Sequence, residues 1–110
     1  MPITKFVVIS PRPTDIEAFE RVYKNEHLPL AAAKLAGKTK YVGAKILASP
    51  QGIPSFHRIA EIRFPFLQSL QACATSPGGE ETIAHAISIS TGWAPIFLIA
   101  DEETIDFSAP

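Results

Sequence analysis

At the start of the chain the apolar residues form a continuous run, which predicts a strand. They then recur every three or four residues, which predicts a helix. Residues 3–10 are largely β-branched and aromatic, and Pro11 ends this strand because proline donates no backbone hydrogen bond. Thr14 and Glu17 have the spacing of a capping box, so we expect the helix to begin at Thr14. Its apolar stripe then runs through Ile16, Phe19, Tyr23, His27 and Leu30.

His27 lies on the apolar stripe of this helix, and we expect its side chain to point inward. Pro29 cannot donate to the helix and its ring crowds the carbonyl of Asn25, so the helix should kink or restart immediately after His27. Gly37 suits the left-handed conformation that closes a helix, and lysines flank it where the helix dipole is negative. The chain is therefore predicted to bend beside the histidine.

Two strands follow, over residues 39–49 and 55–64. The five residues between Ser49 and Ser55 contain two prolines and a glycine, which break both helix and ladder, so the strands form a hairpin. Alternation along each strand predicts which side chains share a face. One face of the first strand carries Tyr41, Gly43, Lys45 and Leu47, and one face of the second carries His57, Ile59, Glu61 and Arg63.

The last third of the chain predicts two helices and a strand. After Pro65, a narrow apolar stripe of Leu67, Leu70, Cys73 and Ala74 indicates a helix up to Thr75, which the glycines and proline of residues 76–79 should break. A short helix from about Glu80 to Ile89 would bury Ile83, Ala84 and Ile87, with His85 off this stripe and solvated. The final strand begins at Ala94.

Strand, helix, hairpin, helix, strand is the βαββαβ order of an α+β, ferredoxin-like domain, with a four-stranded antiparallel sheet and helices on one face. We expect one domain over residues 1–110, with residues 101–110 as a mobile tail. The first and last strands are apolar on both sides, which implies that both sheet faces are covered. The sheet of a second copy is the simplest cover, so we expect a homodimer of dimeric α/β-barrel type.

Composition narrows the classes of partner. The chain has ten basic and eleven acidic residues and no Lys/Arg run, so the sequence predicts no basic patch that could bind nucleic acid. The longest apolar stretch, residues 94–100, is far short of the roughly twenty residues of a membrane span. The N-terminus lacks the pattern of a signal peptide, and a single cysteine suits a reducing compartment. We therefore expect a cytoplasmic protein.

Four segments of the chain resemble the EthD family, which takes its name from ethyl tert-butyl ether degradation. The segments are Glu26-His27-Leu28-Pro29-Leu30, Lys40-Tyr41, Ala60-Glu61-Ile62-Arg63-Phe64, and Leu70-Gln71-Ala72 with Ser76-Pro77-Gly78. The resemblance covers residues 3–100 and implies a dimeric α/β barrel. Similar proteins include polyketide-ring cyclases and decarboxylases and, more distantly, methylmuconolactone methylisomerase, which implies small cyclic or carbonyl substrates. Ala36 and Phe66 depart from the family's usual proline and helix cap.

His27, Tyr41 and His57 are the candidate catalytic residues. His27 matches the family's histidine and would transfer protons, although an inward histidine can also be a satisfied core residue. The Tyr41 phenol could orient a carbonyl or phenol oxygen, or simply pack. His57 could meet His27 across the cleft between helices and sheet. It is about 13 Å from Glu61 along one strand, so these two form no dyad.

Tyr23, Glu61 and Trp93 are the candidate substrate-binding residues. Glu61 could also pair with an arginine at the dimer interface, and Trp93 could wall a pocket or cap the core. Cys73 lies on a buried stripe without basic neighbours and is expected to be inert. The histidines show no metal-ligand pair at helical or hairpin spacing, and no Gly-rich phosphate loop is found, so no cofactor is expected.

Three functions remain open. The first is a cofactor-free enzyme in which His27 moves protons during isomerisation, cyclisation or decarboxylation of a small cyclic, phenolic or lactone-like substrate. The second is a non-catalytic binding protein, an accessory of an oxidative degradation pathway, in which His27 supplies one hydrogen bond. The third, from fold analogy alone, is haem binding with His27 as axial ligand.

Overall fold

Helices and an antiparallel sheet alternate along the chain in the expected order. The structure, a computed structural model, describes residues 3–108. The strands are β1 (Ile3–Pro11), β2 (Lys40–Lys45), β3 (Phe56–Phe64) and β4 (Ile96–Glu102). The helices are α1 (Ile16–Val22), α2 (Leu28–Lys34), α3 (Leu67–Ala74) and α4 (Pro77–Ser88), and a π-helical turn, Tyr23–His27, joins α1 to α2.

The sheet has the strand order β2-β3-β1-β4, with antiparallel neighbours throughout. All the helices pack against one face of it, which confirms the expected α+β, ferredoxin-like architecture. Between helices and sheet lies one core, made of Ala31, Leu35, Ala60, Ile62, Phe64, Leu70 and Cys73, with Phe6 and Val8 packed against it.

The N-cap of the first helix is Asp15, so the predicted cap at Thr14 is wrong by one residue. The Asp15 carboxylate accepts a hydrogen bond from the Ala18 N–H at 3.1 Å. The Thr14 N–H instead donates to the Thr91 hydroxyl at 3.0 Å, which ties the helix start to the loop before β4. Both residues are good capping types, and this long-range contact decides between them.

The kink expected at Pro29 takes the form of the π turn. Leu28 N–H donates to the Tyr23 carbonyl, five residues back, and α2 restarts at Leu28 with Pro29 in its first turn. Proline is tolerated at this position because the N–H groups in the first turn of a helix have no intrahelical acceptor, so its missing N–H removes no hydrogen bond. Gly37 has φ +88° and closes the helical stretch, as expected.

The hairpin of β2 and β3 is confirmed, but β2 ends at Lys45 rather than near Ser49. A bulge in β3 also changes which face His57 occupies. Ser10 pairs with Arg58 and Pro11 with Phe56, so His57 has no partner in β1. The extra residue interrupts the alternation of side chains, and both His57 and Arg58 reach toward α1. The predicted common face for His57 and Glu61 is therefore wrong.

The last helix, α4, begins three residues earlier than expected and buries a different face. The helix before it ends at Ala74, close to the expected Thr75, and the Ser76 hydroxyl accepts from the Gly79 N–H at 3.0 Å, so Ser76 caps α4. Gly79 and Thr82 are buried, whereas Ala84 and Ile87 are exposed. A Cβ on Gly79 would lie 1.8 Å from the Cys73 carbonyl oxygen, so close packing on α3 sets this face.

The sheet face away from the helices is apolar at one end and charged at the other. Its apolar rows comprise Val7, Ile9, Val42, Ala44, Ile59, Ile96 and Leu98, as the strand register shows. Next to them, Lys5 pairs with Glu61, and Arg63 Nη2 lies 3.0 Å from Glu102 Oε1. Leu98 is 47% exposed on this outer face.

Asp101 and Glu102, which the predicted tail includes, pair with β1 as part of β4, so that part of the prediction is wrong. Residues 1–2 and 109–110, which the predicted domain and tail include, lie outside the described residues. Within residues 3–108, no helix has the length and apolarity to cross a membrane.

Candidate active site

A narrow, partly open cleft lies between the helices and the sheet, with a cavity volume of about 50 Å³. Phe6, Val8 and Phe97 line its sheet side, and the walls are mainly apolar. The polar side chains that reach it are Ser10, Tyr23, His27, Tyr41, Cys73 and Thr82. Binding sites for small molecules have this combination of apolar walls and a few convergent polar groups.

His27 is buried in this cleft, 9% exposed, at the end of the π turn. Its ring packs against Tyr23, with 5.2 Å between ring centroids. Burial, with the neighbouring imidazole of His85 as a smaller cause, lowers the pKa of His27 to about 4. The imidazole is therefore neutral at pH 7, with one nitrogen able to accept a proton. The predicted inward orientation of His27 is confirmed.

His85 on α4 forms a pair with His27. The two Nδ1 atoms lie 2.9 Å apart, and the rings are nearly parallel, with centroids 5.2 Å apart. His85 is half-buried. The expectation that His85 is simply solvated is therefore wrong, and the cause is the shifted buried face of α4.

Tyr23 and Tyr41 place two hydroxyl groups together in the cleft. The oxygen atoms lie 2.7 Å apart. Burial, reinforced by the hydrogen bond with Tyr41, raises the pKa of Tyr23 well above its usual range, so this phenol stays protonated. Tyr41 is less buried than Tyr23, 36% against 4% exposed, and so stands nearer the mouth of the cleft.

Behind Tyr23, a buried charge network joins α1 to β3. Arg58 donates to both carboxylate oxygens of Glu20, and its guanidinium carbon lies 4.3 Å from the Tyr23 ring centroid. His57 Nε2 lies 2.9 Å from Glu20 Oε2. These hydrogen bonds, led by that from Arg58, lower the pKa of Glu20 to about 2. The network holds Tyr23 in place from the side opposite the cleft.

The structure brings three of the six predicted site residues to the cleft: Tyr23, His27 and Tyr41. His57 lies against Glu20 and the Phe19 ring rather than against His27. Glu61 lies on the outer sheet face, paired with Lys5. Trp93 packs edge-on against Phe56, with ring centroids 5.1 Å apart. Neither Glu61 nor Trp93 lines the cleft.

Two residues of this region were not predicted from the sequence. Glu20 is three residues before Tyr23, at the edge of the apolar stripe, and that position could have indicated a buried acid. His85 gave no such signal, because its contact with His27 depends on how α4 packs. Cys73, expected to be inert, is buried, and burial raises the pKa of its thiol.

A metal centre is not formed by the residues that the structure describes. Within residues 3–108, no group of three or more histidine, cysteine, aspartate or glutamate side chains is placed to hold a metal ion. The hydrogen-bonding side chains that line the cleft are His27 and the hydroxyl groups of Ser10, Tyr23, Tyr41 and Thr82. The arrangement can accept a proton at His27 and donate hydrogen bonds to an oxygen atom.

Comparison with known families decides the identity of the domain. The model of the EthD domain matches residues 11–86, a range that contains His27, Tyr41 and His85. The chain belongs to the EthD family. The resemblance seen in the sequence is thereby confirmed. Comparison with curated proteins gives no match.

Solved structures show the same fold. An EthD family protein from Bacillus halodurans is 25% identical, with a TM-score of 0.83 over 94% of this chain and 100% of that one. An EthD-like protein from Ralstonia eutropha is 22% identical, with a TM-score of 0.69 over 91% of each chain. A dimeric ferredoxin-like protein of unknown function from Jannaschia is 16% identical, with a TM-score of 0.61 over 94% and 100%.

Proposed function

We propose that this EthD family protein is a cofactor-free enzyme that performs acid–base chemistry on a small cyclic, phenolic or lactone-like substrate. The reaction would be an isomerisation, a cyclisation or a decarboxylation. One observation carries the proposal: a buried, uncharged histidine lies in an apolar cleft beside two tyrosine hydroxyls. A histidine with a purely structural role is expected to be enclosed by packed side chains, whereas His27 lines a cleft.

His27 would act as the general base. The imidazole is unprotonated at neutral pH, so a nitrogen is available as base, but a pKa near 4 makes it a weak base and requires an acidic C–H or O–H in the substrate. Since Nδ1 of His27 is engaged by His85, the proton would be taken up at Nε2. Apolar surroundings strengthen the electrostatic interactions of any charge that develops there, because they exclude water.

Tyr41 would bind the oxygen atom on which negative charge develops. Its partner Tyr23 stays protonated and can donate to the Tyr41 oxygen, which leaves the Tyr41 O–H free for a substrate carbonyl or phenolate. Tyr23 itself is buried and would position Tyr41. His57, by contrast, would act only through Glu20, since it lies outside the cleft.

The lining supports an uncharged aromatic or alicyclic substrate. Among the described residues that line the cleft there is no lysine, arginine, aspartate or glutamate. An anion would therefore lose its hydration without gaining a charged partner, which is costly and favours isomerisation or cyclisation over decarboxylation of a carboxylate. The rings of Phe6, Phe19 and Phe97 instead offer flat apolar surfaces to a ring-shaped ligand.

We also propose that the protein acts as a homodimer in the cytoplasm. The apolar rows on the outer sheet face support the dimer, because such a face is normally covered. The Jannaschia relative, which shares the fold, is described as dimeric. In this arrangement Glu61 would serve the interface, through its pair with Lys5, rather than the substrate. The single cysteine supports the cytoplasmic location.

The first experiment is a thermal-shift screen of phenols, quinones, lactones and short ketoacids against the wild type, His27→Ala and His57→Ala. A ligand of the folded state raises the unfolding midpoint. We expect one ligand class to stabilise the wild type and His57→Ala but not His27→Ala. An equal response of all three proteins would remove His27 from the site.

A second assay separates an enzyme from a binding protein without knowledge of the natural substrate. A nitrobenzisoxazole is opened by one base: the base removes the ring C–H proton while the N–O bond breaks, and a coloured cyanophenolate is released. We expect the wild type to accelerate this reaction and His27→Ala to lose about 100-fold in kcat/KM. Ligand binding without acceleration would indicate the binding protein, and a haem absorption band in purified protein would indicate the third function.

A further inference from the structure

His27 has a second histidine directly behind it. Its Nδ1 atom lies 2.9 Å from Nδ1 of His85, and His27 itself lines the cleft. His85 does not line the cleft and is half-buried on α4. The two imidazoles therefore connect the apolar interior of the cleft to the outer side of α4.

A single hydrogen atom must lie between the two Nδ1 atoms, because two bare nitrogens or two N–H groups would repel at this distance. Two neutral arrangements satisfy this condition. In one, His27 donates and its Nε2 is bare, so His27 presents a base to the cleft. In the other, His85 donates and His27 Nε2 carries a proton, so His27 presents an acid.

We propose that His85 is the proton-relay partner of His27 and switches it between base and acid within one turnover. The proposal rests on the general-base function of His27. The substrate C–H or O–H proton moves to His27 Nε2, the Nδ1 proton of His27 moves to His85 Nδ1, and His85 releases its Nε2 proton to water. One proton leaves the substrate and one enters solvent, and both imidazoles are neutral before and after.

The surroundings of His27 favour transfer of the proton to His85 over formation of a charged imidazolium at His27. The burial that depresses the pKa of His27 equally disfavours an imidazolium formed there during the reaction. The described titratable side chains that line the cleft with His27 or contact it include no carboxylate that could offset a positive charge. They are Tyr23 on the π turn, Tyr41 on β2, Cys73 on α3 and His85 on α4.

The hydrogen bond itself is tested first, without any substrate. In protein with ¹⁵N-labelled histidine, we expect a through-hydrogen-bond ¹⁵N–¹⁵N coupling between the Nδ1 atoms of His27 and His85. His57→Ala should keep this coupling and His85→Ala should lose it. The relay would be overturned if the wild type lacked this coupling and the tautomer of each histidine were independent of the other.

The relay is then tested by the kinetics of nitrobenzisoxazole opening. We expect His85→Ala to lower kcat about 10- to 100-fold with little change in KM, and added imidazole to restore part of the rate. His85→Gln can still hydrogen-bond to His27 but cannot pass a proton, so it should remain as slow as His85→Ala. Glu80→Gln, an exposed change in the first turn of α4, is the matched control.

The outcomes separate the relay from the function on which it rests. A slow His27→Ala with a fast His85→Ala would leave His27 as the base and overturn the relay. Full activity of His85→Gln would also overturn it, because His85 would then only orient His27. An unchanged rate in His27→Ala would overturn the general-base function itself, whatever the coupling between the histidines.

Discussion

Arg58 on β3 forms two hydrogen bonds with Glu20 on α1, from Nη2 to Oε1 at 2.7 Å and from Nε to Oε2 at 2.8 Å. A guanidinium held in this bidentate way has little freedom, and this one lies over the ring of Tyr23. The pair therefore links the first helix to the sheet next to the residue that supports both His27 and Tyr41.

Removal of the Glu20 charge should destabilise the fold in a pH-dependent way. Glu20 has a pKa of about 2 in the folded protein and an ordinary value of 4.5, so its stabilising effect is complete above pH 4.5 and disappears as the pH falls toward 2. We expect Glu20→Gln to lose about 2 kcal/mol at pH 7. Urea unfolding at several pH values measures this difference.

The exposed acid Glu26, in the adjoining π turn, gives the control. Glu26→Gln should change the free energy of unfolding by less than about 0.5 kcal/mol. If Glu20→Gln and the wild type differed equally at pH 7 and near pH 2, the charge of Glu20 would not be the cause.

His27 should make the folded protein less stable in weak acid. Its pKa is about 4 in the fold and 6.5 as the ordinary value, so between these two pH values the unfolded chain binds a proton that the folded protein refuses. The stability from this group is complete above pH 6.5 and should fall by about 3 kcal/mol as the pH drops to 4. NMR titration of the His27 ring protons gives the pKa directly.

His27→Phe serves as the comparison, because it keeps a ring in the cleft but cannot titrate. The difference in unfolding free energy between wild type and His27→Phe should change across pH 4–6.5 and be constant above it. A midpoint near 6.5 in the NMR titration would contradict the burial of this histidine.

Gly79→Ala should be strongly destabilising although alanine favours helices. Helix propensity alone would stabilise α4 by about 1 kcal/mol. However, the new Cβ would lie 1.8 Å from the Cys73 carbonyl oxygen, so α3 and α4 would have to separate. We expect a net loss of about 3 kcal/mol or more by denaturant unfolding.

The reverse change on the exposed side of the same helix is the matched test. Ala84→Gly should cost about 1 kcal/mol from propensity alone. If Gly79→Ala were neutral or stabilising, the close packing of α4 on α3 would be wrong, and with it the position of His85.

Leu98→Asp should dissociate the proposed dimer. Leu98 lies on the outer sheet face in β4, where a charge would be buried without a partner. We expect sedimentation to show a dimer for the wild type and a monomer for the variant. Leu47→Asp, the same change at a leucine 92% exposed in the hairpin connection, should remain dimeric. A monomeric wild type would refute the dimer directly.

The order of helices and strands could be predicted from local periodicity. The helical period of about 3.6 residues and the strand period of 2 each persist over a whole element. The apolar stripe from Ile16 to Leu30 and the kink at Pro29 depend on residues that are close together in the chain. The Thr14 cap failed for the opposite reason: a contact with Thr91, far along the chain, leaves the cap to Asp15.

The site was only partly accessible from the sequence for the same reason. His27 and Tyr41 lie on elements whose faces the periodicity predicts. The orientation of His57 depends on one unpaired residue in β3, and alternation cannot anticipate such a bulge. The contact of His85 depends on how α4 packs at Gly78 and Gly79, which carry no hydrophobic signal. A Cβ at Gly78 would lie 2.6 Å from the Lys34 carbonyl oxygen on α2, as one at Gly79 would crowd α3.

The π turn makes the length of the first helical stretch more important than most of its side chains. It holds one residue more per hydrogen-bonded ring than an α turn, and each residue advances a helix by about 100°. Deletion of the exposed Lys24 would close this ring to an ordinary α turn and keep α2 in phase, whereas an extra residue in α1 would rotate everything beyond it by that angle and move His27 out of the cleft. Insertions between residues 46 and 55 would leave the cleft intact. Relatives that share this site should therefore vary in the hairpin connection and keep, between Phe19 and Leu35, either this number of residues or one fewer where the π turn is absent.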